Sequence, residues 1–233
     1  MADIIPAILE PSLEAIAARL GEVRGAARSV QLDVADGVYV PNATWPFSGG
    51  AERSEFERIA SEEEGLPLWE DFDFEADLMA ERPLEHALKW MRAGASRIVI
   101  HIGSGGAKEA LQALQEARGE GASLAVEVGV ALRSGASERD LEPFRGLYDF
   151  IQVMGIEKVG FQGQRFDERA IILLERLRAS YPESTLQVDG GITAERAPAI
   201  VRAGAERLVV GSAIFGSSDP KRALSELRRA AAL

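Results

Sequence analysis

The chain has 233 residues, 46 % hydrophobic and 27 % charged, with a formal net charge of −11 and no cysteine. This composition describes a globular chain with material for a large core, and it excludes disulfides and thiolate metal sites. The acid excess argues against nucleic-acid and anionic-membrane partners, while leaving phosphorylated metabolites open to binding by backbone amides.

The N-terminal MADIIPAILEP carries no basic leader region, and no apolar run is long enough to span a bilayer, so a cytoplasmic chain is expected. Short apolar strands then alternate with amphipathic helices. Strands are expected at 3–8, 29–34, 67–74, 97–101, 124–130, 148–153, 185–189 and 207–210. Helices are expected between them, at 12–24, 51–63, 84–93, 106–119, 137–144, 167–180, 193–203 and 218–231. Ser137, Asp167 and Thr193 read as N-caps, and the glycines of two Arg-Ala-Gly-Ala segments, Gly94 and Gly204, as C-caps. The run Glu62–Glu64 reads as a solvated helix end.

Eight β/α units without a break in composition predict an α/β fold, one (β/α)8 barrel over residues 1–233. The strands read as near-continuously apolar, as in a sheet buried on both faces. Barrel chemistry stands at the C-terminal ends of strands. The polar and small residues expected there are Gln31, Asp33, Asp77, His101, Arg133, Met154, Gly155, Asp189, Gly211 and Ser212.

The stretch QLDVADGVYVPNAT (31–44) places two acids at a strand end. One reading is a strand that ends in a turn at Asp36-Gly37; the other is a carboxylate held at the rim of the sheet, placed for proton transfer. VDGGIT (188–193) and VVGSAIF (209–215) put Gly190, Gly191, Gly211 and Ser212 after the last two strands, where barrels often bind phosphate. The loop 154–166 is long for a βα connection, and Gly160 to Gly163 reads as a flap over the phosphate end. Lys158 and Arg165 are cations that could add charge there or stay on the surface. His86 falls in a helix and reads as a surface residue, whereas His101 reads as either a packing residue or a substrate contact.

IIPAIL (4–9), LDVADGVYVPNAT (32–44), DLM (77–79), GVAL (129–132), GFQGQRF (160–166), QVDGGIT (187–193) and GSAIF (211–215) together resemble the ribulose-phosphate 3-epimerase family. The resemblance runs through nearly the whole chain in order. It implies a ribulose-phosphate-binding barrel that interconverts D-ribulose 5-phosphate and D-xylulose 5-phosphate, with a divalent metal and commonly a homo-oligomer. It also implies that Asp33 and Asp189 are the acid/base pair at C3, that Asp36 is a turn or supporting group, and that Met79 lies at the substrate.

The departures are at the chemical centre. Gln31 and Asp77 stand where the family has its two metal-binding histidines. Ala7 replaces a serine, Ala35 a methionine, and Arg133 an asparagine. Gln31, Asp33, Asp77 and Asp189 remain as an all-oxygen set, better suited to Mg²⁺, Mn²⁺ or Ca²⁺ than to Zn²⁺, with the ion (Mg, Mn, Fe or Zn) open. Three crowded carboxylates require a hard cation, a compensating group such as Arg133, or a retained proton. Three functional expectations follow: the epimerase, a barrel enzyme on another phosphorylated metabolite, or a non-catalytic binder of sugar phosphates.

Overall fold

The computed structural model describes residues 2–119 and 126–232. Eight parallel strands close into a barrel in sequence order. They are β1 (Asp3–Ile8), β2 (Ser29–Ala35), β3 (Asp73–Met79), β4 (Arg97–His101), β5 (Glu127–Leu132), β6 (Phe150–Met154), β7 (Thr185–Asp189) and β8 (Arg207–Val210). Outside them run α1 (Leu13–Val23), α2 (Gly50–Ala60), α3 (Leu84–Arg92), α4 (Ala107–Gly119), α5 (Arg169–Ser180), α6 (Ala197–Arg202), a one-turn α7 (Ser212–Phe215) and α8 (Pro220–Ala230). A 3-10 helix, Glu138–Phe144, stands between β5 and β6. None of the described helices is long and apolar enough to cross a membrane.

The third strand begins six residues later than the sequence pattern 67–74 indicates. The intervening stretch is turned, with Leu68 in the left-handed region at φ 56°, so its alternation of large apolar residues never becomes a strand. Strands β5 and β6 each start later and run further than expected; positions 124 and 125 of the former expectation lie outside the described residues. The expected helix at 193–203 shortens to α6, because residues 193–196 form a turn in which Thr193 O accepts the N–H groups of Arg196 and Ala197. Ser137 does cap the 3-10 helix, in a reciprocal bond pattern with Asp140. Asp167 accepts the Arg169 N–H at 3.0 Å just ahead of α5. Gly94 and Gly204 stand at φ +87° and +112°, the left-handed helix exits that glycine makes accessible. Glu62–Glu64 lies exposed beyond α2, with Glu64 paired to Arg58 at 2.7 Å.

The strands are not apolar on both faces. One alternating set, including Val30, Leu32, Val34, Phe74, Ala76 and Leu78, packs outward under the helices in the main core. The other set points into the barrel and is largely polar: Gln31, Asp33, Glu75, Asp77, His101, Gln152, Gln187 and Asp189 are all buried. Most of these groups are linked in a ladder up the barrel, while Gln31 Oε1 and Gln187 Oε1 find no hydrogen-bond partner among the described residues. Arg97 Nε donates to Glu75 at the lower end. Gln187 Nε2 donates to Glu75 (2.6 Å) and to Gln152 Oε1 (2.7 Å), and Gln152 Nε2 reaches Asp77 at 3.4 Å. Burial pushes the Glu75 carboxyl up against the opposing pull of the Arg97 guanidinium. The ladder lifts the polar interior toward the C-terminal mouth, where the site lies.

Candidate active site

Asp33 and Asp77 are direct partners across the β2–β3 register, and Asp189 ends β7. One carboxylate oxygen from each lies within 4.8 Å of the others. Asp33 and Asp189 each keep 8 % exposure at the mouth, whereas Asp77 and Gln31 keep none. The Gln31 amide joins the pair, donating from Nε2 to Asp33 Oδ1 at 2.7 Å and to Asp189 Oδ2 at 3.3 Å. Burial pushes the Asp33 carboxyl up to about 7, and the neighbouring Asp77 charge adds to the effect. Burial, then the Asp33 charge, pushes Asp189 well above the usual carboxylate range. Both shifts favour the protonated forms, and because the two acids interact they titrate together as a pair.

Asp36 points away from this centre. Its Oδ1 accepts the N–H groups of Val38 and Tyr39, both at 2.8 Å, and its Oδ2 accepts that of Glu81 at 2.7 Å. It organises the β2 loop. Thr44 fastens the same loop, donating its hydroxyl to Asp33 O at 2.7 Å and accepting the Ala35 N–H at 2.9 Å. The loop in turn holds the flap: Asn42 Nδ2 donates to Gly160 O at 2.8 Å, and a Cβ on Gly160 would come within 2.7 Å of Val40.

Gly160, Gly163, Gly190, Gly191, Gly211, Ser212 and Met79 line one small cavity with Asp33 and Asp189. Gly191, at φ +70°, allows the β7 loop to pass the Phe166 backbone, which a Cβ would approach within 2.7 Å. The cavity measures about 30 Å³, room for a water or two. Gln162 is what narrows it. This flap residue is exposed at its outer side, but its Nε2 donates to Ala7 O (3.1 Å) and to Asp33 Oδ2 (3.3 Å). Its carboxamide lies where a Cβ on Gly211 would fall, at 2.4 Å.

Four candidate residues, His101, Arg133, Lys158 and Arg165, lie outside this cavity. His101 is buried with its Nε2 2.9 Å from Asp77 Oδ1 and its ring 5.5 Å from that of Tyr39, so it supports a carboxylate and does not line the cavity. Arg133 is exposed, stacked over Tyr39 at 5.9 Å in a separate groove, and does not neutralise the carboxylates. Lys158 and Arg165 are exposed and also stay outside the cavity. His86 is half-buried, edge-on to Phe47 at 4.7 Å, which corrects the expectation of a surface residue. Gln162, Gln152 and Gln187 are polar partners of the site that the sequence reading misses. The period-two pattern within each strand carries the signal for the last two.

The three carboxylates form an oxygen donor set that fits a hard divalent cation, whereas Gln31, expected as a fourth ligand, turns its Nε2 and not its oxygen toward Asp33 and Asp189. With a small glycine-lined niche beside paired buried acids at the C-terminal mouth of a closed parallel barrel, the molecule is of the class of (β/α)8 barrel enzymes. Residues 3–215 match the model of the ribulose-phosphate 3 epimerase family, and the chain belongs to that family. It is 34 % identical over 202 residues to ribulose-phosphate 3-epimerase of Aquifex aeolicus, covering 84 % of this chain and 82 % of that one. It is 29 % identical over 235 residues to the Bacillus subtilis protein of the same name, covering 98 % and 99 %. KGPDC from Streptococcus mutans shares the fold with a TM-score of 0.70 at 12 % identity, over 99 % of this chain and 97 % of that one.

Proposed function

We propose that this protein interconverts D-ribulose 5-phosphate and D-xylulose 5-phosphate, or a close analogue, by two-base proton transfer at C3 between Asp33 and Asp189. The observation that carries the proposal is that these two carboxyls, on β2 and β7, share one amide beside a glycine-lined niche, where burial favours their protonated forms. Epimerisation next to a ketone needs a base on one face of the carbon and an acid on the other. A pair that retains one proton supplies both. The carboxylate form takes the C3 proton, the carboxylic acid form returns one to the opposite face, and the pair ends the turnover with its proton moved across.

Asp33, Asp77 and Asp189 would hold a divalent cation, which when bound would supply Lewis-acid stabilisation of negative charge on the sugar oxygens. Gln31 holds the two acids in a common position, and His101 orients Asp77 from behind. The glycine amides after β7 and β8 are suited to the phosphate. A cavity of about 30 Å³ does not admit a sugar phosphate, so Gln162 has to withdraw with the flap before substrate enters.

The Gln31 amide between the acids also favours a second reading, a barrel enzyme acting on another phosphorylated metabolite. The test is a coupled ribulose 5-phosphate to xylulose 5-phosphate assay on chelator-stripped protein refilled separately with Mg²⁺, Mn²⁺, Fe²⁺ and Zn²⁺, run beside incorporation of solvent deuterium at C3. Turnover with C3 exchange is expected, lowered roughly 10²–10⁴-fold in Asp189→Asn. Binding of the sugar phosphate without turnover or exchange under any metal would remove the epimerase assignment and favour the second reading.

A further inference from the structure

A groove of about 700 Å³ opens on the same C-terminal face, among the loops after β2, β4, β5 and β6. That volume is of small-molecule size, and the carboxylates do not line it. Its floor is aromatic and apolar, formed by Tyr39, Ile102 and Phe144. The Tyr39 backbone N–H is bound by Asp36, and the ring lies 5.5 Å from that of His101.

Two guanidiniums, Arg133 and Arg139, line the groove without an ion-pair partner among the described residues. The Arg133 guanidinium lies over the Tyr39 ring, 5.9 Å from its centroid. Arg169 is paired with Asp167 at 2.6 Å and stands 3.6 Å from Glu157, and Asp140 accepts the Ser137 N–H at 2.9 Å. Against the two lining carboxylates, Glu157 and Asp140, this leaves Arg133 and Arg139 as the guanidiniums of the groove without an ion pair among the described residues, beside an apolar surface.

We propose that this groove is a second ligand site, distinct from the carboxylate centre, for a phosphate monoester carrying an apolar or aromatic body. Arg133 and Arg139 grip the phosphate as charge-assisted, fork-shaped donors, and Tyr39 with Phe144 takes the body. The arrangement does not depend on what reaction the carboxylates perform.

The probe is phenyl phosphate, titrated calorimetrically into the full chain, with inorganic phosphate and phenol as comparisons. One phenyl phosphate is expected per chain, bound more tightly than either fragment and more weakly as salt is raised. Arg133→Gln and Arg139→Gln should each weaken it roughly tenfold or more, while the thermal midpoint stays at the wild-type value because both side chains are exposed. Binding should persist when D-ribulose 5-phosphate is present in excess. No binding, binding indifferent to both substitutions, or one-for-one displacement by D-ribulose 5-phosphate would each overturn the assignment. Because the readout is binding and not turnover, a failed epimerase assay leaves it untouched.

Discussion

Replacing Asp33 by Asn removes a buried carboxyl whose ionisation the fold resists. The carboxyl is raised from 3.8 to about 7, mainly by burial. Each pKa unit corresponds to about 1.36 kcal/mol, so the metal-free native state forfeits about 4 kcal/mol between low and high pH relative to an unfolded chain in which Asp33 ionises freely. The sign follows from proton counts. Between 3.8 and about 7 the folded protein binds more protons at this site than the unfolded one, so the contribution to stability is complete below pH 3.8 and is lost as pH rises through about 7. Asn mimics the protonated acid. It leaves one of the donors Gln31 Nε2 and Gln162 Nε2 without its oxygen, a cost of about 1–3 kcal/mol that is the same at every pH. The offset cancels when two pH values are compared. Urea unfolding of wild type and Asp33→Asn in chelator, at pH 3.5 and pH 8, should therefore show the variant gaining about 4 kcal/mol relative to wild type on going up in pH. Relief of Asp189, which the Asp33 charge also raises, acts in the same direction. Parallel stability curves for the two proteins would show that Asp33 is not desolvated, and the account of the paired proton would fail with it.

Two further outcomes rest on backbone and flap geometry. Gly191→Ala places a Cβ 2.7 Å from the Phe166 backbone at φ +70°, and should cost about 1–3 kcal/mol in thermal or urea unfolding; an unchanged midpoint would refute the close approach. Gln162→Ala removes the amide bonds to Ala7 O and Asp33, and should raise amide hydrogen exchange across residues 160–164 and speed sugar-phosphate association several-fold. Equal exchange in both proteins would mean that Gln162 does not hold the flap shut.

Much of the architecture was legible before any coordinates. The number of β/α units, the helix exits at Gly94 and Gly204, and the turn role of Asp36 follow from local chemistry: hydrophobic spacing, the accessibility of positive φ to glycine, and the habit of Asp of bonding amides just ahead of it. The late start of β3 was not legible. Pro67–Phe74 offers the same apolar residues as a strand, and only the pairing of Asp73–Met79 with β2 and β4 selects the register.

The sequence by itself determined the barrel, the order of its motifs and the supply of carboxylates at strand ends, since each is written in local patterns that no distant contact needs to complete. Tertiary structure alone decided which side chains meet. Gln31, bonded to Asp33, reaches Asp189 across 158 positions of chain, Gln162 reaches Asp33 across 129, and Arg133 turns outward onto Tyr39 and away from the carboxylates. Barrel closure brings distant strands to one mouth, and burial there raises the carboxyls, so the partners and the proton of this site exist only once the barrel has closed.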